Sequence, residues 1–192
     1  MPDCRRLWPN AFPSGSKHRM VFTFLAFEKG KLLLVKNEQG LVLAEYIKSS
    51  VGTQKADDAL KTLLSQGWPL NSNDAAFDAE RRCFGRYFDG KREDFDSIPI
   101  HLVLGTSYQH RVWEAARKIP YGRVASYKEI AVQLHSQGYR SVGQALNRNP
   151  LIILIPCHRV ISADGGIGGF GAGLALKRYL LELENQNIRF SD

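Results

Sequence analysis

The chain has 192 residues, 44% of them hydrophobic and 23% charged, enough for one large domain or two small ones with a proper core. No apolar run nears the ~20 residues that span a bilayer; residues 1–20 carry Arg5, Arg6, Pro9 and Pro13 rather than a secretory apolar stretch; and three widely spaced cysteines, Cys4, Cys83 and Cys157, do not make a disulfide framework. A membrane span, a secreted protein and a disulfide scaffold are therefore not expected, and free thiols suit a reducing, intracellular compartment. The net charge of +7 lies mostly in the second half, with 15 basic against 13 acidic residues in 1–100 and 11 against 6 in 101–192. A basic half suits a polyanion partner, and it equally suits a surface that only keeps the protein in solution.

Residues 1–19, with Pro, Ser, Gly and basic residues, predict a loosely ordered lead-in. Val21 to Phe27, Leu32 to Val35 and Leu41 to Ile47 are β-rich runs. Turns at Glu28-Lys29-Gly30 and Asn37-Glu38-Gln39-Gly40 join them, the pattern of an antiparallel meander. Two helices are predicted next. Lys55 to Ser65 places Ala56, Leu60, Leu63 and Leu64 on one side, and Asp74 to Phe88 places Phe77, Cys83, Phe84 and Phe88 near one face. Residues 89–99 read as a linker. We expect a supporting domain over 1–100 and a second domain over 101–192.

The second half is mostly helical. Thr106-Ser107-Tyr108-Gln109 and Ser126-Tyr127-Lys128-Glu129 both have the form of a capped helix start. Val112, Ala115, Ala116 and Ile119 give the first helix its apolar side, and Ile130, Ala131 and Leu134 the second. A polar break at Ser136-Gln137-Gly138 precedes a third helix from Tyr139 to Asn147, so the pair resembles a helix-turn-helix. Leu151 to Ile155 reads as a short buried strand. A Gly-rich loop spans Gly165 to Gly173, and a last helix from Leu174 to Glu184 has Leu176, Tyr179, Leu180 and Leu183 as its apolar set. The fold class is α+β, a small antiparallel sheet with helices followed by a helical domain.

Cys157 carries the strongest chemical suggestion. It follows an apolar run and Pro156, and His158 and Arg159 come directly after it. A thiol at the end of a rigid element is a well-positioned nucleophile. Free Cys titrates near ~8.5, so a base or a cation must help ionise it at neutral pH. His158 could serve, yet adjacent residues in an extended chain point to opposite sides. Contact needs a turn at this point or a bridging water. The plain alternative is a buried Cys acting as a small hydrophobe.

The segment Pro156-Cys157-His158-Arg159-Val160 resembles the active-site signature of the O6-alkylguanine-DNA alkyltransferase family. The run Ser141 to Pro150 is similar to that family's recognition helix and following loop. Gln109-His110-Arg111-Val112-Trp113, Ile119 to Val124 and the tail Gly173 to Leu181 match too, in order, over roughly residues 104–190. The resemblance implies a DNA-binding helix-turn-helix and a self-inactivating methyltransferase. Such a protein moves an alkyl group from O6-alkylguanine, and from O4-alkylthymine, in duplex DNA to Cys157 after nucleotide flipping. It further implies that His158 relays the thiol proton through a water, that Glu184 polarises His158, and that Asn149 holds the turn. Tyr127 would hydrogen-bond the leaving guanine and touch the DNA backbone, and Arg140 would fill the vacated stack. Gln109 and Lys128 would lie near phosphates, with Ser141 and Gly143 on the DNA-facing helix. Val160, Phe170 and Gly171 would line the base pocket.

These roles suit the chemistry. An O-alkyl guanine is a poor electrophile, and a positioned proton donor is worth about 10²–10⁴ in rate. Extruding the base costs a few kcal/mol, roughly. No cofactor is implied, and the protein is expected to be a monomer acting on duplex DNA, in the cytoplasm of a prokaryote or the nucleus of a eukaryote. Gly166-Ile167-Gly168-Gly169-Phe170-Gly171 has the spacing of a dinucleotide site, but the βαβ context and the later acid such a site needs are missing. Two residues depart from the family pattern: Phe170 stands where many members carry Tyr, and Tyr139 where a small residue is usual. Cys4, Cys83, His18, His101 and His110 do not reproduce the zinc spacing of some members, so no metal is predicted. The alternatives are a non-catalytic lesion binder or regulator, against which Cys157 argues, and a cysteine hydrolase, which leaves Arg140 unexplained.

Overall fold

The computed structural model describes residues 19–48, 54–65, 69–136 and 138–190. Cys4, His18, the side chain of Ala56, Gln137 and nearly all of the expected lead-in lie outside the described residues. Two compact units form. The described residues up to Phe84 join Asp96–Thr106 in the first, and Gly85–Phe95 joins the residues from Ser107 onward in the second.

In the first unit, strands β1 (Met20–Phe27), β2 (Gly30–Asn37) and β3 (Gly40–Ile47) pair antiparallel through the two expected turns. Gly40 is required there: its φ is +142°, and a Cβ would sit 2.4 Å from the Pro99 carbonyl oxygen. A fourth strand, β4 (Leu70–Ser72), adds parallel to β1, so the order is β3-β2-β1-β4. Three residues are too few for a periodic signal, which is why the sequence did not announce it. The core combines Met20, Leu33, Val35, Val42 and Leu43 with Leu63 of helix α1 (Gln54–Ser65). Leu64, expected on the same side, is exposed.

A 3-10 turn (Asp74–Phe77) leads into helix α2 (Asp78–Phe88). Its buried stripe is Phe77, Glu80, Phe84 and Tyr87, not Cys83 and Phe88. The stripe passes through Glu80, which a search for apolar residues skips; Lys36 pairs with that carboxylate at 2.7 Å.

The second unit holds helices α3 (Ser107–Arg117), α4 (Tyr127–Gln133), α5 (Tyr139–Asn147) and α6 (Leu174–Glu184). A short parallel pair, β5 (Ala125–Ser126) with β6 (Val160–Ile161), completes it. Helix α3 packs on α5, where the buried Trp113 indole N–H donates to the Ala145 carbonyl at 2.9 Å. Helix α4 begins with the expected reciprocal cap: Glu129 N–H donates to Ser126 Oγ at 3.1 Å, and Ser126 N–H to the Glu129 carboxylate at 2.6 Å. Ser126→Ala should therefore lower stability by about 1 kcal/mol, measured as a smaller midpoint in urea with an unchanged slope. Among the described residues no helix is long and apolar enough to cross a membrane.

Leu151–Ile155 is not a strand. Leu151 N–H and the Ile155 carbonyl are held by the two ends of the Asn149 side-chain amide, at 2.9 and 2.8 Å. Ile155 N–H also closes back on the Leu151 carbonyl at 2.8 Å. Ile153 takes a φ of +73°, a left-handed conformation that costs a β-branched residue roughly 1–3 kcal/mol. All five apolar side chains are nevertheless buried, so the composition of the run was informative and its conformation was not.

Candidate active site

Cys157 opens a single turn of 3-10 helix, Cys157–Arg159, and is 6% exposed. This is the turn that a Cys–His pair needs, because it takes the two residues out of the extended alternation. Asn149, itself buried, donates from Nδ2 to Cys157 Sγ at 3.0 Å while holding the loop before it. An N–H aimed at sulfur stabilises negative charge there.

Behind the cysteine lies a buried charge cluster centred on Glu184, at the C-terminal end of α6. Its Oε1 accepts from His158 Nε2 at 2.7 Å, from the Tyr87 hydroxyl at 2.6 Å and from Arg159 Nη2 at 3.0 Å. Its Oε2 accepts from Arg159 Nε at 2.8 Å and from the Gly122 N–H at 3.1 Å. Burial pushes the Glu184 carboxyl up, but His158 and Arg159 overcome this and hold it well below the usual carboxylate range. His158 is fully buried, and desolvation lowers its pKa against the opposing pull of Glu184. A neutral imidazole that donates through Nε2 keeps a lone pair on Nδ1. That atom is buried and meets no hydrogen-bonding partner among the described residues.

Cys157 also lines a cavity of about 850 Å³, shared with Tyr127, Lys128, Arg140, Gly143 and Phe170. That volume lies within the usual ~300–1,000 Å³ range of small-molecule pockets. The Tyr127 hydroxyl donates to the Gly169 carbonyl at 3.0 Å. Burial and then the nearby Cys157 raise its pKa, so it stays a protonated donor. The glycine loop explains itself here. Gly168 has a φ of +67°, and a Cβ on it would meet the Tyr127 ring at 2.9 Å. The loop is thus shaped to pack against a tyrosine, not to cradle a pyrophosphate.

The expected site residues divide in two. Asn149 is bonded to Cys157 and His158 to Glu184, and Tyr127, Lys128, Arg140, Gly143, Phe170 and Gly171 stand around the cavity with Cys157. Val160 does not line the cavity: it is fully buried in β6, and its carbonyl accepts from Lys177 Nζ at 2.6 Å. Gln109 and Ser141 are likewise not in the cavity wall. Ser141 Oγ instead donates to the Gly138 carbonyl at 2.6 Å and lies 2.7 Å from the Tyr108 hydroxyl. Among the described residues, no group of three or more His, Cys, Asp or Glu could hold a metal ion.

Three residues escaped the sequence reading. Arg159 stood inside the quoted signature without a role. Tyr87 continues the Phe77–Phe84 stripe by three residues, a signal that was available. Lys177 is fully buried; it donates to the Val160 and Gly169 carbonyls and sits 5.8 Å from the Tyr127 ring centroid. Burial lowers its pKa to about 8, with Cys157 pulling the other way. It shares a helix face with Leu180, Leu181 and Glu184, a face that the apolar set of α6 defines only in part.

Comparison with known proteins agrees along the chain. Residues 20–102 match the family model described as the ribonuclease-like domain of 6-O-methylguanine DNA methyltransferase, and residues 107–186 match its DNA-binding domain. A methylated-DNA–protein-cysteine methyltransferase from Methanosarcina barkeri is 38% identical over 172 residues, covering 88% of this chain and all of that protein. The crystal structure of the Mycobacterium tuberculosis O6-methylguanine methyltransferase is similar at a TM-score of 0.71 and 33% identity, over 90% of this chain and 96% of that one. A second structure, M. tuberculosis OGT in complex with DNA, gives 0.72 and 33% over 86% and 93%. With both halves matched, and a buried thiol next in sequence to a buried His158–Glu184 pair, this chain belongs to the 6-O-methylguanine DNA methyltransferase family.

Proposed function

We propose that this protein repairs duplex DNA by direct reversal, moving an alkyl group from O6 of guanine, and from O4 of thymine, onto Cys157 Sγ. The observation that carries the reading is the position of that sulfur: it accepts an N–H from Asn149 and faces the cavity it shares with Tyr127 and Arg140. His158 Nδ1 takes the thiol proton through a bridging water, and Glu184 and Arg159 keep the imidazole oriented. The thiolate then attacks the alkyl carbon. An S–C bond forms as the C–O6 bond breaks, and the electron pair leaves with the guanine. Tyr127, released from the Gly169 carbonyl, donates a hydrogen bond to the departing base. The thioether does not hydrolyse, so each molecule acts once.

Arg140 is exposed at the cavity rim and is suited to fill the stack that the flipped nucleotide leaves. Lys128 and Gln109 contact phosphates, and α5 lies toward the DNA with Ser141 and Gly143. All of these groups come from one chain, so a monomer suffices, acting wherever the cell keeps its DNA. Incubation with a duplex bearing one O6-methylguanine, followed by mass spectrometry, tests the reading: one methyl on Cys157 is expected. Binding without mass gain would support a lesion sensor instead.

The pH dependence follows from His158. Burial lowers its pKa from the ordinary histidine value of 6.5, so the neutral base persists as pH falls through that value. Single-turnover transfer should hold its rate to below pH 6.5 before declining. An acid limb centred above 6.5 would contradict His158 as the base.

A further inference from the structure

We infer that Tyr139 is a second base-contacting residue, stacking its ring on a base beside the vacated position while Arg140 occupies that position. The inference rests on the repair reading and adds a residue to it. Tyr139 is the first residue of α5 and is 58% exposed, although its ring is a large apolar surface. It makes no hydrogen bond, ion pair or ring contact with the described residues, so the fold gives it no use. It lines the same cavity as Arg140 and Cys157.

Its mounting is rigid. Ser141, two residues on, ties the first turn of α5 to the Gly138 carbonyl and to the Tyr108 hydroxyl of α3. Val142 is fully buried beneath. With the backbone fixed this way, the ring has only its two side-chain torsions to lose on contact, a small cost for so large a surface. Every base offers a π-face, so such a contact tolerates any neighbouring sequence. A planar ring also suits the step next to an extruded nucleotide, where a base has lost one stacking partner. Arg140 alone supplies charge and one guanidinium plane; the pair supplies two planes and covers both the gap and its edge.

Tyr139→Ala, Tyr139→Phe and the wild type are compared in single-turnover transfer from an O6-methylguanine duplex and from an O6-benzylated guanine base free in solution. Tyr139→Ala should lower duplex transfer by about ten-fold more than free-base transfer, from the usual worth of one base–aromatic stack. Tyr139→Phe should restore it, because the ring and not the hydroxyl makes the contact. The slope of log affinity against log salt should stay at the wild-type value, since no phosphate contact is removed. Equal duplex transfer by Tyr139→Ala and the wild type overturns this inference alone. Equal losses on duplex and free base also overturn it, and assign Tyr139 to support of the site. A wild type that takes no methyl from the duplex overturns the repair reading and this inference together.

Discussion

Cys157→Ala should bind duplex DNA with near wild-type affinity and gain no methyl group. The expectation joins two parts of the structure that are separable. The proposed DNA-facing residues lie on α3, α4 and α5, where the α4 cap and the Trp113–Ala145 bond between α3 and α5 do not pass through the sulfur. The loop before Cys157 is held by Asn149 through Leu151 N–H and the Ile155 carbonyl, and both bonds survive loss of the thiol. The Asn149 N–H to Sγ bond is lost with the thiol. Cys157→Ser is the stricter test, because it keeps an acceptor for Asn149 and removes the polarisable, ionisable nucleophile. Transfer should be absent in both variants by mass spectrometry, with duplex binding intact by fluorescence anisotropy. Joint loss of binding and fold in both would show that Cys157 is structural.

Glu184→Ala should cost about 3–5 kcal/mol of stability, the price of leaving a buried charge uncompensated. Arg159, 6% exposed, would keep the Ile119 carbonyl at 2.7 Å and the Tyr121 ring but no carboxylate. The Tyr87 hydroxyl, His158 Nε2 and Gly122 N–H would lose their acceptor as well. Glu184→Gln is not a mild substitute. Donors converge on both carboxylate oxygens, and an amide places an NH₂ against one set of them. Urea denaturation at neutral pH measures both variants, and a loss below about 1 kcal/mol for Glu184→Ala would mean the cluster is worth no more than a surface pair. The pH dependence has a definite sign. Glu184 and His158 both titrate lower in the folded chain than their ordinary values of 4.5 and 6.5. The unfolded chain therefore binds protons first, and wild-type stability falls as pH drops below those values. Glu184→Gln should remove the carboxylate share of that fall.

Much of the architecture could be read from local pattern. The three-strand meander, the Ser126 cap and the limits of α6 follow from turn residues, reciprocal hydrogen bonding and helical period. Those are interactions between residues a few positions apart. The readings that failed share one cause. Leu64 was placed inside by apolar character and is exposed, Leu183 is only half-buried, and Glu80 and Lys177 occupy buried faces. A hydrophobic count cannot phase a helix whose inner face carries charges that find partners elsewhere. Leu151–Ile155 failed for a related reason: an apolar run specifies burial, and a single Asn side chain decided its path.

The candidate nucleophile Cys157 and the order of motifs around it are written in the primary structure, because Pro-Cys-His-Arg is contiguous and the flanking segments keep their spacing. Folding decided what that cysteine stands among. Tyr87 reaches Glu184 across 97 residues and Arg159 reaches it across 25. A charge removed from water must be met by whichever donors the packed chain brings to it, and no periodicity along the chain encodes that meeting.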